Sequence, residues 1–487
     1  MKLVLVRPPF YTLFGVTTPK MKTYPLNLLY LATFVRDTGR HEAAIVDGDT
    51  IPAPKGWFPE TPDDDPELVM NARVPMMKAI MEDATHPLWS ELEDRILAQK
   101  PDLVGITCTS GNLDTARLIA QRLDVHGIPV ALGGSHPTVL PEQSIRYTGA
   151  QMVVVGEGER ALVGLLDTLA GRGDLSTVPS LAWRHGSEVV LNQRDAPVKN
   201  LDTLPIPDRS LIDRSAYYGE VMMTGRGCPF NCAYCASRTI WGRTVRFRSV
   251  PALLDELSIL HEAAQSPKPR PGRWVIKVLD DTFTVSRKRT LTLLGEIVKR
   301  GFNRFEFTGG VRADTLDEEL VEMMHRANFR RVTLGVESGS PRILAMIHKG
   351  ETNDDVKRAI RLLRAAGIQS HAFFMIGLPE ETAEDIELSK RLILEAQPDH
   401  VEINMVTPYP GTEIFRKLIR EDPNQIDRWY RWFHQGLATH STALGYDLDT
   451  AYREFLEFAR DYHKHARGAE KAGGMESSLE TGANRNQ

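Results

Sequence analysis

Three cysteines, Cys228, Cys232 and Cys235, fall within eight residues and follow the spacing Cys-x3-Cys-x2-Cys. Thiolates are the usual ligands of iron–sulfur clusters, and a 4Fe–4S cube takes four ligands. Three close thiolates would therefore leave one iron open to another ligand. Glycines and a proline in the same stretch allow a tight loop around a bulky group. Zinc is the alternative, but it would need a fourth protein ligand nearby, and the next histidine downstream is the distant His261.

Residues 1 to about 170 alternate short apolar strands with amphipathic helices. The predicted strands are Lys2–Arg7, Ala43–Val46, Asp102–Thr107, Pro129–Leu132 and Met152–Val155, and the predicted helices are Tyr24–Asp37, Leu113–Leu123 and Ala161–Leu169. Short apolar strands separated by helices are typical of a parallel sheet that is covered on both faces. We therefore predict an α/β, doubly wound (Rossmann-like) domain that binds a ligand at the carboxyl ends of its strands.

Small and polar residues follow the last three of these strands. They are Thr109, Ser110, Gly133, Gly134, Ser135, Gly156, Glu157 and Gly158. Glycine permits close backbone approach, and hydroxyls and free amides can bind a nucleotide-like tail. Because no Gly-x-Gly-x-x-Gly follows the first strand, a dinucleotide is not expected.

A second α/β series begins near Tyr217 and contains six predicted strands. They are Glu220–Thr224, Val275–Leu279, Phe305–Thr308, Arg331–Leu334, His371–Ile376 and His400–Met405, and the helices between them include Asp317–Ala327, Thr352–Ala366 and Ala383–Ala396. The first strand of this series leads directly into the cysteine loop. Each later strand ends in glycine or polar residues.

The cysteine spacing, with Tyr234 just before the last cysteine, resembles the cluster loop of the radical S-adenosylmethionine (SAM) superfamily. In that family the open iron binds the amino and carboxylate groups of SAM. The six-strand series resembles the family's partial (β/α)6 barrel of TIM type, whose chemistry lies at the carboxyl ends of its strands. Together with the cluster loop, the first domain resembles the cobalamin-binding domain of radical enzymes. The resemblance is to the cobalamin-dependent radical SAM family and extends to about residue 415.

This resemblance implies roles for the residues that follow successive barrel strands. Asp280 and Asp281 lie where the family binds the SAM ammonium, and Arg312 where a planar guanidinium holds the carboxylate. Glu337 lies where the ribose hydroxyls are accepted, and Ile376 where adenine stacks. Each carboxylate alone would more often be a helix cap or a solvated charge, but their order along the strands favours the joint interpretation.

Phe10, Tyr234 and Tyr409 complete the cofactor contacts that we expect from the resemblance. Many cobalamin domains carry Asp-x-His-x-x-Gly after the first strand, whereas the corresponding loop here, residues 8–16, has no histidine. The lower ligand of cobalt is therefore left open. His136 is either a contact to the cobalamin tail or a structural histidine, and we favour the second. A domain that has lost cobalamin and serves as a scaffold is the alternative interpretation.

The chain divides into five predicted segments. They are a cobalamin-binding domain (1–175), a linker with a β-ribbon (176–215), a radical SAM barrel (216–415), a helical cap (416–466) and a disordered tail (467–487). An insertion at about Ile51–Ser90 carries Met70, Met76, Met77 and Met81, which either fill the core or pack over the cofactor edge. The aromatics of the cap either pack in the core or line the substrate site.

Composition restricts the function classes. The 487 residues are 42% hydrophobic and 25% charged, and the net charge of −5 offers no basic patch for nucleic acid. No apolar run approaches the length of a membrane span. Four cysteines, three of them clustered, indicate a reducing, cytoplasmic compartment rather than a disulfide scaffold. The fourth, Cys108, is expected to be a buried apolar residue.

As the resemblance implies, an electron from the reduced cluster cleaves SAM to a 5′-deoxyadenosyl radical, which abstracts hydrogen from a small-molecule substrate. The electron would come from an external donor of the flavodoxin or ferredoxin type. Methylcobalamin would then supply a methyl group, which predicts a C-methyltransferase acting on an unactivated carbon of a metabolite or natural product. A cyclase or ring-rearranging enzyme without net methyl transfer is the alternative, and a non-catalytic sensor of metal and cobalamin is a third. The sequence identifies no catalytic acid or base.

Overall fold

The structure is a computed structural model that describes residues 1–10, 12–14, 22–52, 76–266, 272, 274–421, 423 and 446–480. These residues form two β-sheets, each covered by helices, together with a small two-stranded ribbon. None of the helices within these ranges is long and apolar enough to cross a membrane.

The first sheet has seven strands in the order β2-β1-β3-β4-β5-β6-β7. The strands are β1 (Lys2–Arg7), β2 (Glu42–Asp47), β3 (Leu103–Thr107), β4 (Val130–Gly133), β5 (Met152–Val154), β6 (Leu181–His185) and β7 (Glu188–Leu191). The helices are Leu26–Asp37, Pro87–Ala98, Leu113–Asp124, Ser135–Val139, Pro141–Thr148 and Glu159–Leu169. Strands β1 to β5 are parallel, which confirms the predicted doubly wound domain.

Strands β6 and β7 lie within residues 176–215, which we predicted to be a linker with a β-ribbon. They are the predicted β-ribbon, but β6 pairs antiparallel with β5, so the ribbon extends the first sheet. Leu181 and Ala182 at the start of β6 are fully buried, and this burial favours docking on the sheet edge over a free ribbon. Pro179 and Pro197 flank these two strands and do not interrupt them. This is expected, because a proline within a strand could not donate a hydrogen bond to its neighbour.

The second sheet has six parallel strands that adjoin in chain order. They are β8 (Glu220–Met222), β11 (Val275–Val278), β12 (Glu306–Val311), β13 (Phe329–Glu337), β14 (Gln369–Ile376) and β15 (His400–Met405). The helices between them are Ser237–Trp241, Val250–Ala264, Arg287–Lys299, Glu318–Arg326, Pro341–Met346, Asn353–Ala365 and Ala383–Ala396. The short strands β9 (Gly225–Arg226) and β10 (Arg246–Phe247) form the ribbon beside the cysteine loop. This arrangement confirms the partial (β/α)6 barrel.

The two faces of the second sheet differ in polarity. Ile276, Phe307, Val332, Phe374 and Ile403 are buried and join one hydrophobic cluster with the surrounding helices. Since side chains alternate along a strand, the residues between these positions lie on the opposite face, toward the barrel lumen. We call this opposite side the lumen face.

The helix Leu448–Glu480 follows the shorter helix Glu413–Glu421 and packs beside β15. Tyr452 and Phe455 are buried in the hydrophobic cluster of the barrel, which favours core packing for these aromatics. The cap aromatics Trp429, Tyr430, Trp432 and Phe433 lie outside the described residues.

The helix Leu448–Glu480 extends into the predicted tail, and disorder of the tail from residue 467 in solution stays a prediction. Residues 467–480 contain three glutamates and two alanines, which favour a helix, and three glycines, which disfavour it. Extending a helix that is already nucleated is also much easier than starting one.

The methionine-rich insertion contributes to the core of the first domain where it is described. Residues 76–82 are helical, Met77 is buried, and Met81 packs partly buried against the same cluster. These contacts favour core filling. Met70 lies outside the described residues.

Candidate active site

The cysteine loop lies between β9 and the helix Ser237–Trp241. Gly227 has φ +99°, and a Cβ there would lie 2.8 Å from the carbonyl oxygen of Thr244. Glycine is therefore required where the chain enters the loop. Cys228 and Cys232 are half-buried and Cys235 is exposed, and all three are free of disulfides.

The surroundings of these sulfurs suit thiolate ligands of a cluster. The amide of Ser237 points at Cys235 Sγ (3.5 Å), and Thr282 Oγ1 lies 3.6 Å from Cys228 Sγ. Burial raises the pKa of Cys232, although the nearby ammonium of Lys349 acts in the opposite direction. Burial also raises the pKa of Cys235 to about 11, so cluster binding must displace protons.

No three His, Cys, Asp or Glu side chains in the described ranges lie close enough to hold a single metal ion. The thiolates of a cube, by contrast, each bind a different iron. Cys108 is fully buried at the end of β3 in the other domain, where burial raises its pKa. That it is not a cluster ligand stays a prediction.

The two aspartates after β11 have different surroundings. The carboxylate of Asp280 accepts hydrogen bonds from the amide of Thr224 (2.6 Å), from the Thr224 hydroxyl and from the amide of Gly225 (3.3 Å). Burial raises its pKa to about 6. Asp281 is exposed and accepts from the amide of Gly227 (3.1 Å). Asp280 therefore ties β11 to β8, and Asp281 is the better candidate for the SAM ammonium.

Arg312 is already engaged in the structure. Its Nε and Nη2 donate to Asp314 (3.0 and 2.9 Å), and its guanidinium lies 3.7 Å from the ring centre of Phe230 in the cysteine loop. This pairing occupies the Nε–Nη2 edge of the guanidinium that we expected to hold the SAM carboxylate. Arg312 therefore supports the loop through Phe230, and its Nη1 forms an ion pair with Glu351 at 3.7 Å.

Glu337 lies close to the cysteine loop. It has φ +70°, an uncommon conformation for a residue with a side chain, at a register irregularity between β13 and β14. Its carboxylate accepts from the Tyr234 hydroxyl (2.8 Å) and lies 3.4 Å from Lys349 Nζ. Lys349 is also 3.0 Å from Glu351. Tyr234 and Lys349 thus hold Glu337 against the loop.

Ile376 is fully buried in the cluster on the helical side of the barrel, so its side chain is not available to stack on adenine. The adjacent Gly377 has φ +87° and donates its amide to Glu381 (2.7 Å). Tyr446 also donates to Glu381 (2.7 Å), and burial raises the pKa of Glu381 to about 7. Only the backbone of residues 376–377 remains as the expected platform.

A cavity of about 490 Å³ lies between the two domains. From the first domain it is lined by Arg7, Pro8, Phe10, Thr23, Asp49, Thr109, Ser110, Gly111, Asn112, Ser135 and His136, and from the second by Ala236, Ile240, Tyr409 and Pro410. Ala236 directly follows the last cluster cysteine. The cavity therefore connects the strand ends of the first sheet to the cysteine loop.

A second pocket, of about 60 Å³, lies inside the first domain between its sheet and its helices. Gly133, Gly134, Gly156 and Gly158 line it, with Leu28 among its apolar residues. A Cβ on Gly134 would lie 2.4 Å from the Cys108 carbonyl oxygen, whereas a Cβ on Gly133 would meet nothing within 4 Å. Gly134 is thus required by the approach of the Cys108 backbone, whereas Gly133 borders open space in which a cofactor tail would fit.

His136 is a buried histidine with both ring nitrogens in contact. Nδ1 lies 2.9 Å from Ser110 Oγ, and Nε2 lies 3.2 Å from Gln143 Oε1. Burial lowers its pKa to about 4, so the ring is neutral at physiological pH. These contacts favour the structural role that we expected.

Glu157 lines neither of these two cavities, and its carboxylate is engaged in ion pairs. It is paired with Arg226 (3.1 Å) and Arg246 (2.7 Å) and accepts the amide of Val198 (2.6 Å). Arg226 also pairs with Glu159 at 2.7 Å. The expected cofactor contact at Glu157 is thus an ion pair between the domains.

Sequence reasoning missed Lys349, Glu381 and Arg226. Lys349 lies in a loop without a recognisable motif, whereas Glu381 follows the residues after β14 and Arg226 directly precedes the cysteine loop. The stretch His348-Lys349-Gly350-Glu351 carries alternating charges next to a glycine, which is a weak signal for a residue near the site.

The sequence model of the radical SAM superfamily matches residues 222–393, and that of the B12 binding domain matches residues 13–166. An uncharacterized methyltransferase of Pyrococcus horikoshii is 30% identical over 446 residues, which cover 89% of this chain and 86% of that protein. The chain belongs to the cobalamin-dependent radical SAM enzymes. This enzyme therefore uses a 4Fe–4S cluster, SAM and cobalamin as its cofactors.

Other relatives of the enzyme carry out different reactions. An anaerobic magnesium-protoporphyrin IX monomethyl ester cyclase of Rubrivivax gelatinosus is 29% identical, over 67% of this chain and 60% of that protein. Among solved structures, the radical SAM methyltransferase TsrM of Kitasatospora setae, with cobalamin and a 4Fe–4S cluster bound, matches with a TM-score of 0.68. That match is 19% identical and covers 86% of this chain and 78% of TsrM, so it supports the fold.

Proposed function

We propose that this enzyme is a C-methyltransferase that acts on an unactivated carbon of a small metabolite or natural product. The observation that carries the proposal is the cavity between the domains, which connects the cobalamin domain to the cysteine loop. When bound, the cofactors supply a hydrogen-abstracting radical and a transferable methyl group. The chain's task is to keep these two close together and away from water.

Different residues would bind the cluster and SAM. Cys228, Cys232 and Cys235 would hold the cluster, with Arg312 and Phe230 bracing their loop. Asp281 would bind the ammonium of SAM, and Glu337, held by Tyr234 and Lys349, would accept from its ribose.

The remaining contacts concern cobalamin. Phe10, Thr109, Ser110, Ser135 and Tyr409 would face it in the cavity, since all five line that space. The glycine-lined pocket inside the first domain would take its tail.

The electron must come from outside the chain. Three of its four cysteines belong to the cluster loop, and the fourth is buried in the first domain, so the sequence has no second cysteine motif. A flavodoxin or ferredoxin in a reducing cytoplasm suits this requirement.

A cyclase or rearrangement without net methyl transfer is the second candidate, because the cyclase of Rubrivivax gelatinosus is similar over two thirds of the chain. The products separate the two. The holoenzyme would be incubated anaerobically with SAM, a chemical reductant and metabolite extract from cells that lack the enzyme. A methyltransferase yields S-adenosylhomocysteine together with 5′-deoxyadenosine and a metabolite heavier by one methylene, whereas substrate-dependent 5′-deoxyadenosine alone would favour the cyclase.

A further inference from the structure

Two cations on the lumen face of the barrel have no partner in contact. Lys277 of β11 and Arg331 of β13 alternate with the buried Ile276 and Val332, so both lie on the lumen face. Within the described ranges, neither side chain forms a hydrogen bond or an ion pair, although both are exposed. Thr308 of β12 pairs with both residues in the ladder, which puts them in one row, roughly 10 Å apart.

Lys277 is accessible to solvent, but it lies among residues of the barrel that shift its pKa. Burial lowers its pKa, Glu402 across the lumen raises it, and Arg331 lowers it further. The carboxylate of Glu402 is itself engaged, because it accepts from Asn404 (3.3 Å) and lies 3.3 Å from His371 Nε2. Lys277 and Arg331 therefore lie on a face whose acidic side chains are the engaged Glu402 and the exposed Glu306 of β12, and no carboxylate among the described residues pairs directly with either cation. We call the row of Lys277, Thr308 and Arg331 the lumen floor.

An apolar wall separates this floor from the strand ends. Leu279 lies two residues beyond Lys277 on the same face and is 40% exposed, an unusual state for a large apolar side chain. Phe373 and Met375 lie on the same face of β14 and are also incompletely buried. Lys277 is three residues below Asp280, so a molecule anchored at the floor would extend roughly 10 Å to reach the strand ends.

We propose that the barrel lumen binds a substrate with an anionic oxygen group, a carboxylate or a phosphoryl group, held by Lys277 and Arg331. A guanidinium and an ammonium together suit such a group, since both donate charge-assisted hydrogen bonds to oxyanions. The apolar part of the substrate lies along Leu279, with its reacting carbon toward the cysteine loop. The assignment of this ligand as the substrate rests on the proposed function.

Calorimetric titration of the holoenzyme, loaded with cluster, cobalamin and SAM, tests the site. The probes are n-hexylphosphonate, n-hexanoate and the neutral n-hexanamide. Loading with SAM keeps the probes out of the SAM carboxylate site. The variants are Lys277→Gln/Arg331→Gln and the charge-conserving Lys277→Arg/Arg331→Lys. The control is Lys288→Gln/Arg326→Gln, which removes two exposed cations from the outer helices. Circular dichroism and iron content show whether each variant is folded.

We expect both anions to bind the wild type at least about tenfold more tightly than the amide, because one charge-assisted hydrogen bond is worth about that factor. The glutamine pair should weaken hexylphosphonate binding by about tenfold or more, and the control pair should not. The charge-conserving pair should retain most of the affinity. Equal binding of hexylphosphonate to wild type and glutamine pair, or equal binding of anion and amide, would overturn the site.

Failure of this site and failure of the proposed function are distinguishable. Methyl transfer to a substrate without an anionic group would refute the lumen site and leave the methyltransferase intact. Anion binding that depends on Lys277 and Arg331, in an enzyme that forms no S-adenosylhomocysteine with its substrate, would support the site and refute methyl transfer.

Discussion

The three cluster cysteines differ from Cys108 in every property that matters for metal binding. They lie on one loop, they are at least partly accessible, and Cys235 receives an amide hydrogen, whereas Cys108 is fully buried in the other domain. A thiol must lose its proton to bind iron, and burial in an apolar sheet makes that loss unfavourable.

Replacing Cys228, Cys232 and Cys235 together with alanine should abolish cluster binding and reduce 5′-deoxyadenosine formation to background, because SAM is cleaved at the open iron. Iron analysis and chromatography of reconstituted protein measure both effects. Cys108→Ser should keep the full iron content. Undiminished cleavage in the triple variant, or loss of about a quarter of the iron in Cys108→Ser, would contradict the assignment.

Gly133 offers a cleaner test of the cobalamin pocket than Gly134. A side chain at Gly134 would collide with the protein's own backbone, whereas one at Gly133 would enter open space. Gly133→Leu should therefore fold and yet exclude the cofactor tail, so that little cobalamin remains in the absorption spectrum after desalting. Gly295→Leu, also in open space but on an outer helix, is the control. Cobalamin retained at wild-type level in Gly133→Leu would rule out a tail in this pocket.

Glu381 makes stability depend on pH. Its pKa is raised by burial from its ordinary value of 4.5 to about 7, so the folded state holds a proton that the unfolded state loses first. Its contribution is fully present below pH 4.5 and is lost as pH rises to about 7, by at most about 3 kcal/mol. The thermal midpoint of the wild type should therefore fall relative to that of Glu381→Gln between pH 5 and 7.5. A constant difference between the two would show that Glu381 is ionised throughout.

The order of candidate residues could be predicted from sequence, but their partners could not. Asp281 and Glu337 follow strands that meet at one edge, so strand order alone places them together. The engagement of Asp280 by Thr224, and of Arg312 by Asp314, depends on contacts that strand order does not determine. Motif position identifies which side chains are close, and packing decides which remain free.

At the scale of elements, most strands lie within a few residues of their predicted positions, because continuous apolar runs are a strong signal for buried parallel strands. The antiparallel pair β6 and β7 was expected only as a ribbon, since nothing local shows that it joins a sheet. The helix to Glu480 was not predicted because a polar composition is shared by disordered tails and solvent-exposed helices.

Ion pairs between side chains join the ribbon of β9 and β10, beside the cysteine loop, to the first domain. Arg226 of β9 pairs with Glu157 and Glu159, and all three are almost completely buried. Removing one member of a buried ion pair leaves an uncompensated charge, which typically costs about 3–5 kcal/mol.

Arg226→Met should therefore lower the thermal midpoint markedly and weaken the coupling between the domains, as measured by calorimetry and limited proteolysis. Glu157→Gln should lose less stability, since Arg226 keeps Glu159 and Arg246 is left with its contact to Val198. It should retain cobalamin, because Glu157 contacts the barrel rather than the cofactor. Loss of cobalamin in Glu157→Gln without loss of stability would restore Glu157 as a cofactor contact.

At the scale of the whole molecule, further buried contacts fix the two domains against each other. The Tyr24 hydroxyl donates to Glu220 (2.7 Å), and the Tyr217 hydroxyl donates to Asp47 (2.5 Å). Both contacts join the first domain to the start of the barrel. They hold the two sheets so that the cavity opens to the strand ends of one and to the cysteine loop of the other. This geometry supports the proposed transfer of a methyl group from the first domain to a substrate in the second.

A single-turnover experiment with labelled methyl groups tests that claim most directly. The enzyme would be reconstituted with its cluster and with ¹³C-methylcobalamin, then mixed anaerobically with reductant, substrate extract and unlabelled SAM. We predict that the first product molecules carry ¹³C and that unlabelled methyl groups appear only in later turnovers, after SAM has remethylated the cofactor. An unlabelled methyl group in the first turnover, or no methylated product beside 5′-deoxyadenosine, would contradict it.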